Sequence, residues 1–342
     1  MRRRDALIVG AGPAGSVTAL LLARAGWDVL LLDAHDFPRA KPCGDCISPG
    51  ANRLLRQLGV WKDIENAHPA RLKAWRLASP GGAFSAAFAD DVSLALPRSQ
   101  LDTILLNAAR AAGAEIRTGV RVRQLLRDSE RVVGVLAENV PIEARIIIGA
   151  DGLRSRTARQ LNAYARPPRV RKFSLTAHPS GVRHTRATGE MHVLADACLG
   201  IAPVSDDAEP LCNVTVVLRS GTQQGLGAHD LLRSALCRFG RDDIAERISD
   251  DDPVLTSGPF DWPVRQVVFE GAALVGDAAG YFDPFTGQGI YSAIAGAHAL
   301  ADALAGALHS TYVSARSLQA YGAAHSRVLR ATHRVQHVVD YV

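Results

Sequence analysis

What this 342-residue sequence lacks narrows its function first. It has five cysteines, and only Cys43 and Cys46 stand close together. A structural zinc site takes about four ligands, normally a second C-x-x-C or two histidines at similar spacing. Cys198, Cys212 and Cys237 are isolated, so no metal is expected. His333 and His337 fall at i and i+4, but with no nearby Glu or third ligand they read as a solvated helix face. An odd cysteine count without framework spacing points to a reducing, cytoplasmic setting. Lysine is scarce as well: only four of the 39 basic residues are Lys, and the arginines are scattered among acids. With a net charge of +5 and no basic cluster interleaved with aromatics, the chain does not read as a nucleic-acid binder. Long apolar runs are missing too. "SAIAGAHALADALAGAL" is interrupted by His298 and Asp302 and falls short of a membrane span, which leaves only peripheral membrane contact open. The start, "MRRRDALIVGAG", shares its charges with a signal peptide but not a long enough apolar run. Internal repeats and low-complexity tracts are absent.

Hydrophobic residues make up 47% and charged residues 21%, a composition that supports a buried core in one large or two ordinary soluble domains. "ALIVG" (6–10) has the continuous apolar character of a buried parallel strand. "PAGSVTALLLARAG" has helical spacing and a Gly26 stop, and "WDVLLLD" reads as the next strand. The unit is strand, helix, strand. Its turn is Gly10-Ala11-Gly12-Pro13-Ala14-Gly15, a G-x-G-x-x-G in the right context. There Gly10 permits the turn, Gly12 lets backbone approach a diphosphate, and Gly15 lets helix and strand close up. The free N–H groups of the helix start favour the phosphates. Asp33 ends the second strand and suits a ribose 2′-OH, so the site fits NAD or FAD.

Further on, "RSQLDTILLNAARAAG" predicts an amphipathic helix, "AEIRTGVRVRQLLRDSERVVGVLA" predicts strands, and "ARIIIGADG" and "GAALVGDAAG" predict two more buried strands. Residues 71–97 and 169–263 differ in character. "RLASPGGAFSAAF" predicts a hairpin, "MHVLADACLGIAPVSDD" and "LCNVTVVLRS" predict strands, and "AHDLLRSALCRFG" predicts a helix. The expected organisation is an α/β nucleotide-binding domain from 1–70, 98–168 and 264–310, a β-sheet substrate domain inserted as 71–97 and 169–263, and a C-terminal helical segment over 311–342.

"KPCGDCISPG" (41–50) carries the cysteine pair between prolines 42 and 49 and glycines 44 and 50, a loop that passes close to a bound ligand. A redox pair stays open on spacing alone. Two later motifs, "GADGLRSRTAR" (149–159) and "GDAAGYFDPFTGQGI" (276–290), each follow a buried strand. In their order, these motifs make the chain resemble FAD-dependent oxidoreductases of the p-hydroxybenzoate hydroxylase fold. "KPCGDCISPG" and "DPFTGQGI" are most similar to the geranylgeranyl reductase branch. The resemblance implies a Rossmann-like FAD-binding domain in which Gly10, Gly12, Pro13, Ala14, Gly15, Asp33 and Ala34 hold the ADP half of FAD. Arg98 starts a helix and reaches the cofactor, and backbone groups at Val122 meet the adenine. Asp151 lies in a motif associated with FAD and NAD(P)H. Gly276 and Asp277 reach the ribityl or diphosphate region, while Pro284, Gly287, Gly289 and Ile290 lie against the isoalloxazine. The helix beginning near Gly289 would aim its positive end at the ring, where reduction develops negative charge. Cys43 becomes flavin-proximal, and Asp45 a proton donor or a turn residue.

The resemblance further implies NADH or NADPH as reductant without a second nucleotide motif, and a small hydrophobic substrate. Prenyl reductases carry an aromatic-rich "YxWxFP"-like strand. Here the matching "ACLGIAPVSDD" lacks the aromatics, and its Gly200-x-x-Pro203 core is closer to the hydroxylase pattern. The lysine and W-x-W-x-x-P of related halogenases are missing at matching positions, "FDWPVRQ" holding only Trp262. Monooxygenation of an aromatic or polyketide-like substrate is therefore expected ahead of double-bond reduction in an isoprenoid. A non-catalytic carrier on the same fold is the distant alternative.

Overall fold

The computed structural model describes residues 3–89, 91–169, 172–184, 187–207, 210–219 and 225–327. In the first strand, Arg4–Val9, every residue from Ala6 onward is buried. Such a run, with no polar alternation, needs neighbours on both faces of its sheet. The strand pairs in parallel with Val29–Leu32 on one side and Val140–Gly149 on the other. Ala272–Leu274 and Glu115–Arg117 extend the parallel sheet outward, and Val268–Phe269 adds an antiparallel edge. A hairpin of Val122–Asp128 and Arg131–Ala137 hangs from the first half of Val140–Gly149.

The helix Pro13–Arg24 packs against Arg98–Ala111 and Gly289–Ala307. Proline opens it, no side chain caps it, and its first N–H groups therefore point out of the helix end without an intrahelical partner. This sheet and these helices share one apolar core.

A second sheet is ordered Leu255–Ser257, Lys172–Ala177, Cys212–Arg219, Ala197–Pro203, Thr188–Val193, Ala74–Ser79, Gly82–Ala87. The hairpin from the early stretch joins it through a parallel pairing of Ala74–Ser79 with Thr188–Val193. Its strands alternate as a half-covered sheet must. Leu175, Leu199, Ile201, Val214 and Val216 form a second core with the helix Ala228–Arg238. Ser174 and Thr215 turn instead to the face that meets the first unit. A small third sheet, Cys46–Ile47, Ser93–Ala95 and Ala70–Leu72, lies between the two.

Among the described residues no helix is long and apolar enough to cross a membrane. After Ala307 the chain breaks its helix and resumes one over 319–327. His333 and His337, with the rest of the expected C-terminal helical segment, lie outside the described residues. The fully buried Tyr321 donates its hydroxyl to the Leu274 carbonyl, 2.5 Å away, and so ties this last helix to the parallel sheet. Tyr321→Phe should lower stability by about 1 kcal/mol, because the buried Leu274 carbonyl loses this donor. A urea midpoint equal to that of the parent protein would show that the contact contributes nothing.

Candidate cofactor and active site

The glycines of the first turn divide by what surrounds them. Gly10 has φ +102°, and a Cβ there would lie 2.5 Å from the Ala150 carbonyl oxygen. A Cβ on Gly15 would lie 1.8 Å from the Gly10 carbonyl oxygen. Both are required by packing. Gly12 is different: it has an ordinary extended backbone, and a Cβ would meet nothing closer than Arg98 Nη2 at 3.8 Å and Arg39 Nη2 at 3.9 Å. Nothing in the protein demands a glycine at this point. Its smallness leaves a space between an open helix N-terminus and two guanidinium groups, which is where a diphosphate is best stabilised.

Arg98 is held there by a bidentate pair with Asp102, Nε–Oδ1 2.8 Å and Nη2–Oδ2 2.9 Å. Arg39 shares that carboxylate at 3.5 Å and lies 3.8 Å from Asp33. Asp33 accepts from the Ala11 N–H at 2.7 Å and the His35 N–H at 2.9 Å, so it fastens the glycine turn to the strand end. A carboxylate has about four acceptor positions, which leaves room for a ribose hydroxyl. Ala34, beside it, is half-buried. The Val120 N–H donates to the Asp33 carbonyl at 2.8 Å and brings the segment before Val122 to this corner. Val122 itself is buried in the hairpin, paired with Ala137.

From Gly12, Pro13 and Ala14 a cavity runs past Lys41, Cys43 and Arg98 to Gly276 and Asp277, then to Pro284, Gly287, Gly289 and Ile290. Its far wall is Ser174, Thr215, Ser257 and Phe260, from the second sheet and the segment after it. Gly289 opens the helix Gly289–Ala307, so a second helix N-terminus borders the same space. A Cβ on Gly289 or on Gly44 would meet nothing within 4 Å. The cavity is thus bordered at three points by glycines whose missing side chains only a bound molecule would need.

Burial pushes the Lys41 ammonium down from its ordinary range, with Arg98 adding to the effect and Asp277 opposing it. The Cys43 thiol is pushed up by burial, against the pull of the Arg98 guanidinium. Burial also drives the Tyr281 hydroxyl well above the usual phenol range, helped by Asp277 and Asp283. Cys43 and Cys46 are both free thiols on the cavity wall. Among the described residues no group of three His, Cys, Asp or Glu could hold a metal ion.

Two residues expected at the ligand are occupied elsewhere. Asp151 accepts from the Ser155 hydroxyl and from the Thr157 N–H (3.0 Å) and hydroxyl (3.2 Å), so its carboxylate secures the start of the short helix Arg156–Gln160. Its neighbours Ala150, Gly152 and Leu153 line the cavity instead. Asp45 is 1% exposed and bonded to Asn213, His178 and the Arg98 N–H, behind the wall and not on it. The sequence reading missed Arg39, Lys41, Asp102 and Tyr281. Lys41, one of only four lysines and adjacent to the Pro42 loop, carried a usable signal; Asp102, at i+4 from Arg98 on a helix, carried another.

A family model described as an FAD binding domain matches residues 3–336. The chain belongs to this family. The menaquinone reductase of Mycolicibacterium smegmatis is 38% identical over 168 residues, 46% of this chain; the chain spans about 40% of that relative's length. Digeranylgeranylglycerophospholipid reductase 2 of Methanopyrus kandleri is 30% identical over 328 residues, covering 93% of this chain and 81% of the relative. The geranylgeranyl diphosphate reductase of Rhodobacter capsulatus is 31% identical over 306 residues, 87% and 74%. Among solved structures, the flavin-dependent halogenase CmlS aligns with a TM-score of 0.83 at 24% identity, over 97% of this chain and 62% of that one. PqsL of P. aeruginosa, solved with 2-aminobenzoylacetate, aligns at 0.80 and 21%, over 96% and 94%. At these identities the structures show a shared fold.

The residues present fit FAD, with open glycines, two helix N-termini and the Lys41 and Arg98 cations around one cavity, and Arg39 close to Gly12 at its end. Gly12→Val should therefore fold normally yet retain no FAD, while Gly15→Val should lose several kcal/mol of stability from a contact the backbone cannot relax. Flavin absorbance per chain and a denaturant midpoint separate the two. Full flavin content in Gly12→Val would move the diphosphate elsewhere.

Proposed function

We propose that the chain is an FAD-dependent oxidoreductase that reduces a carbon–carbon double bond in a hydrophobic isoprenoid, with NADH or NADPH as reductant. The observation that carries the reading is the pair of neutral proton donors, Cys43 and Tyr281, on the cavity wall. Saturating a double bond adds a hydride to one carbon and a proton to its neighbour. FAD held in this cavity would supply the hydride, with NADH or NADPH as its reductant.

The proton is the protein's task, and a group that keeps its proton at neutral pH can deliver it. The half-buried Cys43 thiol does so, and the Arg98 guanidinium stabilises the thiolate left behind until solvent returns a proton. On the nucleotide side, Arg98, Arg39 and the helix start at Pro13 would bind the diphosphate, and the helix start at Gly289 would face the ring. The seven-stranded sheet is the substrate side of the cavity.

The Methanopyrus and Rhodobacter relatives, 30% and 31% identical over most of this chain, are named as reductases and support this reading. On their weight this reading places reduction ahead of the monooxygenation expected from the missing aromatics and the Gly200-x-x-Pro203 pattern. That pattern sits on the strand Ala197–Pro203, where Cys198, Gly200 and Ala202 leave the alternate positions small, and it keeps monooxygenation as the second reading.

Turnover of a geranylgeranyl lipid with NADPH under heavy-isotope oxygen decides between them. The product should gain dihydrogen and no label; labelled oxygen in the product would overturn double-bond reduction. Cys43→Ser should keep its FAD and lose about 10²-fold in turnover. The sign of the pH dependence follows from the raised thiol: activity should hold through neutral pH and fall only above the ordinary thiol range, as Cys43 deprotonates. The Ser variant should lack that alkaline limb. A wild-type alkaline limb in the variant would remove Cys43 from the donor role.

A further inference from the structure

We infer that His178 and Asn213, reaching from the second sheet, are positioning residues that hold the Cys43 thiol in the cavity by clamping Asp45; the inference rests on the donor role given to Cys43 above. The loop that carries Cys43 has no regular structure of its own before Cys46, and it turns through Asp45 in the left-handed region, φ +55°, a conformation uncommon outside glycine and best tolerated by Asn and Asp, here held by named partners. Those surroundings are identifiable. The buried Asp45 carboxylate accepts from the Arg98 N–H through Oδ1 at 3.2 Å. Its Oδ2 accepts from Asn213 Nδ2 at 2.7 Å and from His178 Nε2 at 2.6 Å. The same Asn213 amide donates to the Cys43 carbonyl at 2.6 Å, so one side chain fixes the residues on both sides of Gly44.

The amide is itself oriented. The Thr215 hydroxyl donates to Asn213 Oδ1 at 2.8 Å and in turn pairs with the Thr176 hydroxyl at 2.9 Å. Thr176, Asn213 and Thr215 lie on neighbouring strands, Lys172–Ala177 and Cys212–Arg219, and His178 follows the first of these directly. A rigid sheet thereby sets the geometry of a loop that belongs to the other unit. Since a carboxylate accepts and does not donate, His178 must present Nε2–H to Asp45, a role that the side-chain amide of glutamine can also fill.

The test uses the FAD-loaded protein and two readouts. The first is the iodoacetamide alkylation rate of Cys43, followed by peptide mass spectrometry. The second is the split between kcat and KM for geranylgeranyl lipid reduction. His178→Ala and Asn213→Ala should retain FAD, alkylate Cys43 severalfold faster, and lose about tenfold in kcat with little change in KM. His178→Gln should recover both. Thr215→Val, which removes the orienting hydroxyl and its long 3.5 Å contact to the Cys43 carbonyl, should move alkylation in the same direction and keeps the test decisive if an alanine variant does not fold. Cys43 alkylation at the parent rate in the variants that fold, or no recovery in His178→Gln, would overturn the clamp. Faster alkylation in a protein that reduces no isoprenoid would leave the clamp standing and remove the proposed function instead.

Discussion

The contact between the Gly10 carbonyl and Gly15 aims everything else at the cavity. A helix can sit this close to its own strand only where residue 15 has no Cβ, since one would fall 1.8 Å from that oxygen. The closeness directs the helix start, with its free N–H groups and positive end, at a single point over Gly12. Arg98 and Arg39 reach the same point from other elements, each tied to the Asp102 carboxylate. A fixed arrangement of positive groups around an empty-sided glycine is what an anionic dinucleotide needs, and little reorganisation is left to binding.

The two ends of the cavity differ in chemistry. At the glycine turn the lining is cationic. Toward the second sheet it is neutral: thiol, phenol, small hydroxyls and Phe260. The two units that enclose it are joined by partly buried ion pairs as well as by chain connections. Lys172 pairs with Asp283 at 3.0 Å, and Arg166 makes a fork with Asp261 at 2.7 and 2.8 Å. Pairs of this kind are directional, so they fix how one unit faces the other more than they add stability.

What was legible in the sequence follows the range of the physics. The strand–helix–strand unit, the Pro80-Gly81 hairpin and the helix near Ala228 are set by local periodicity and turn residues, and the structure has them at those places. The cavity-lining glycines and Asp277 were legible because each sits in a turn next to a buried strand. Asp151 shows the limit of a motif: its carboxylate secures a helix start, which an acidic residue after a strand can do as readily as meet a ligand. His178 and Asn213 left no signal: they act on a loop more than 130 positions earlier, through strand register that only the folded sheet establishes. Asp45 could be seen as a turn residue, but not as the point where the two units lock.

The measurement that tests the central claim most directly is hydrogen exchange with and without FAD, read by mass spectrometry over the whole chain. The account predicts slower exchange on FAD binding at 12–16, 41–46, 276–279 and 287–290, four segments separated in sequence that border one cavity. Unchanged exchange at 12–16 and 287–290, with protection confined to the outer helix 228–238, would contradict it.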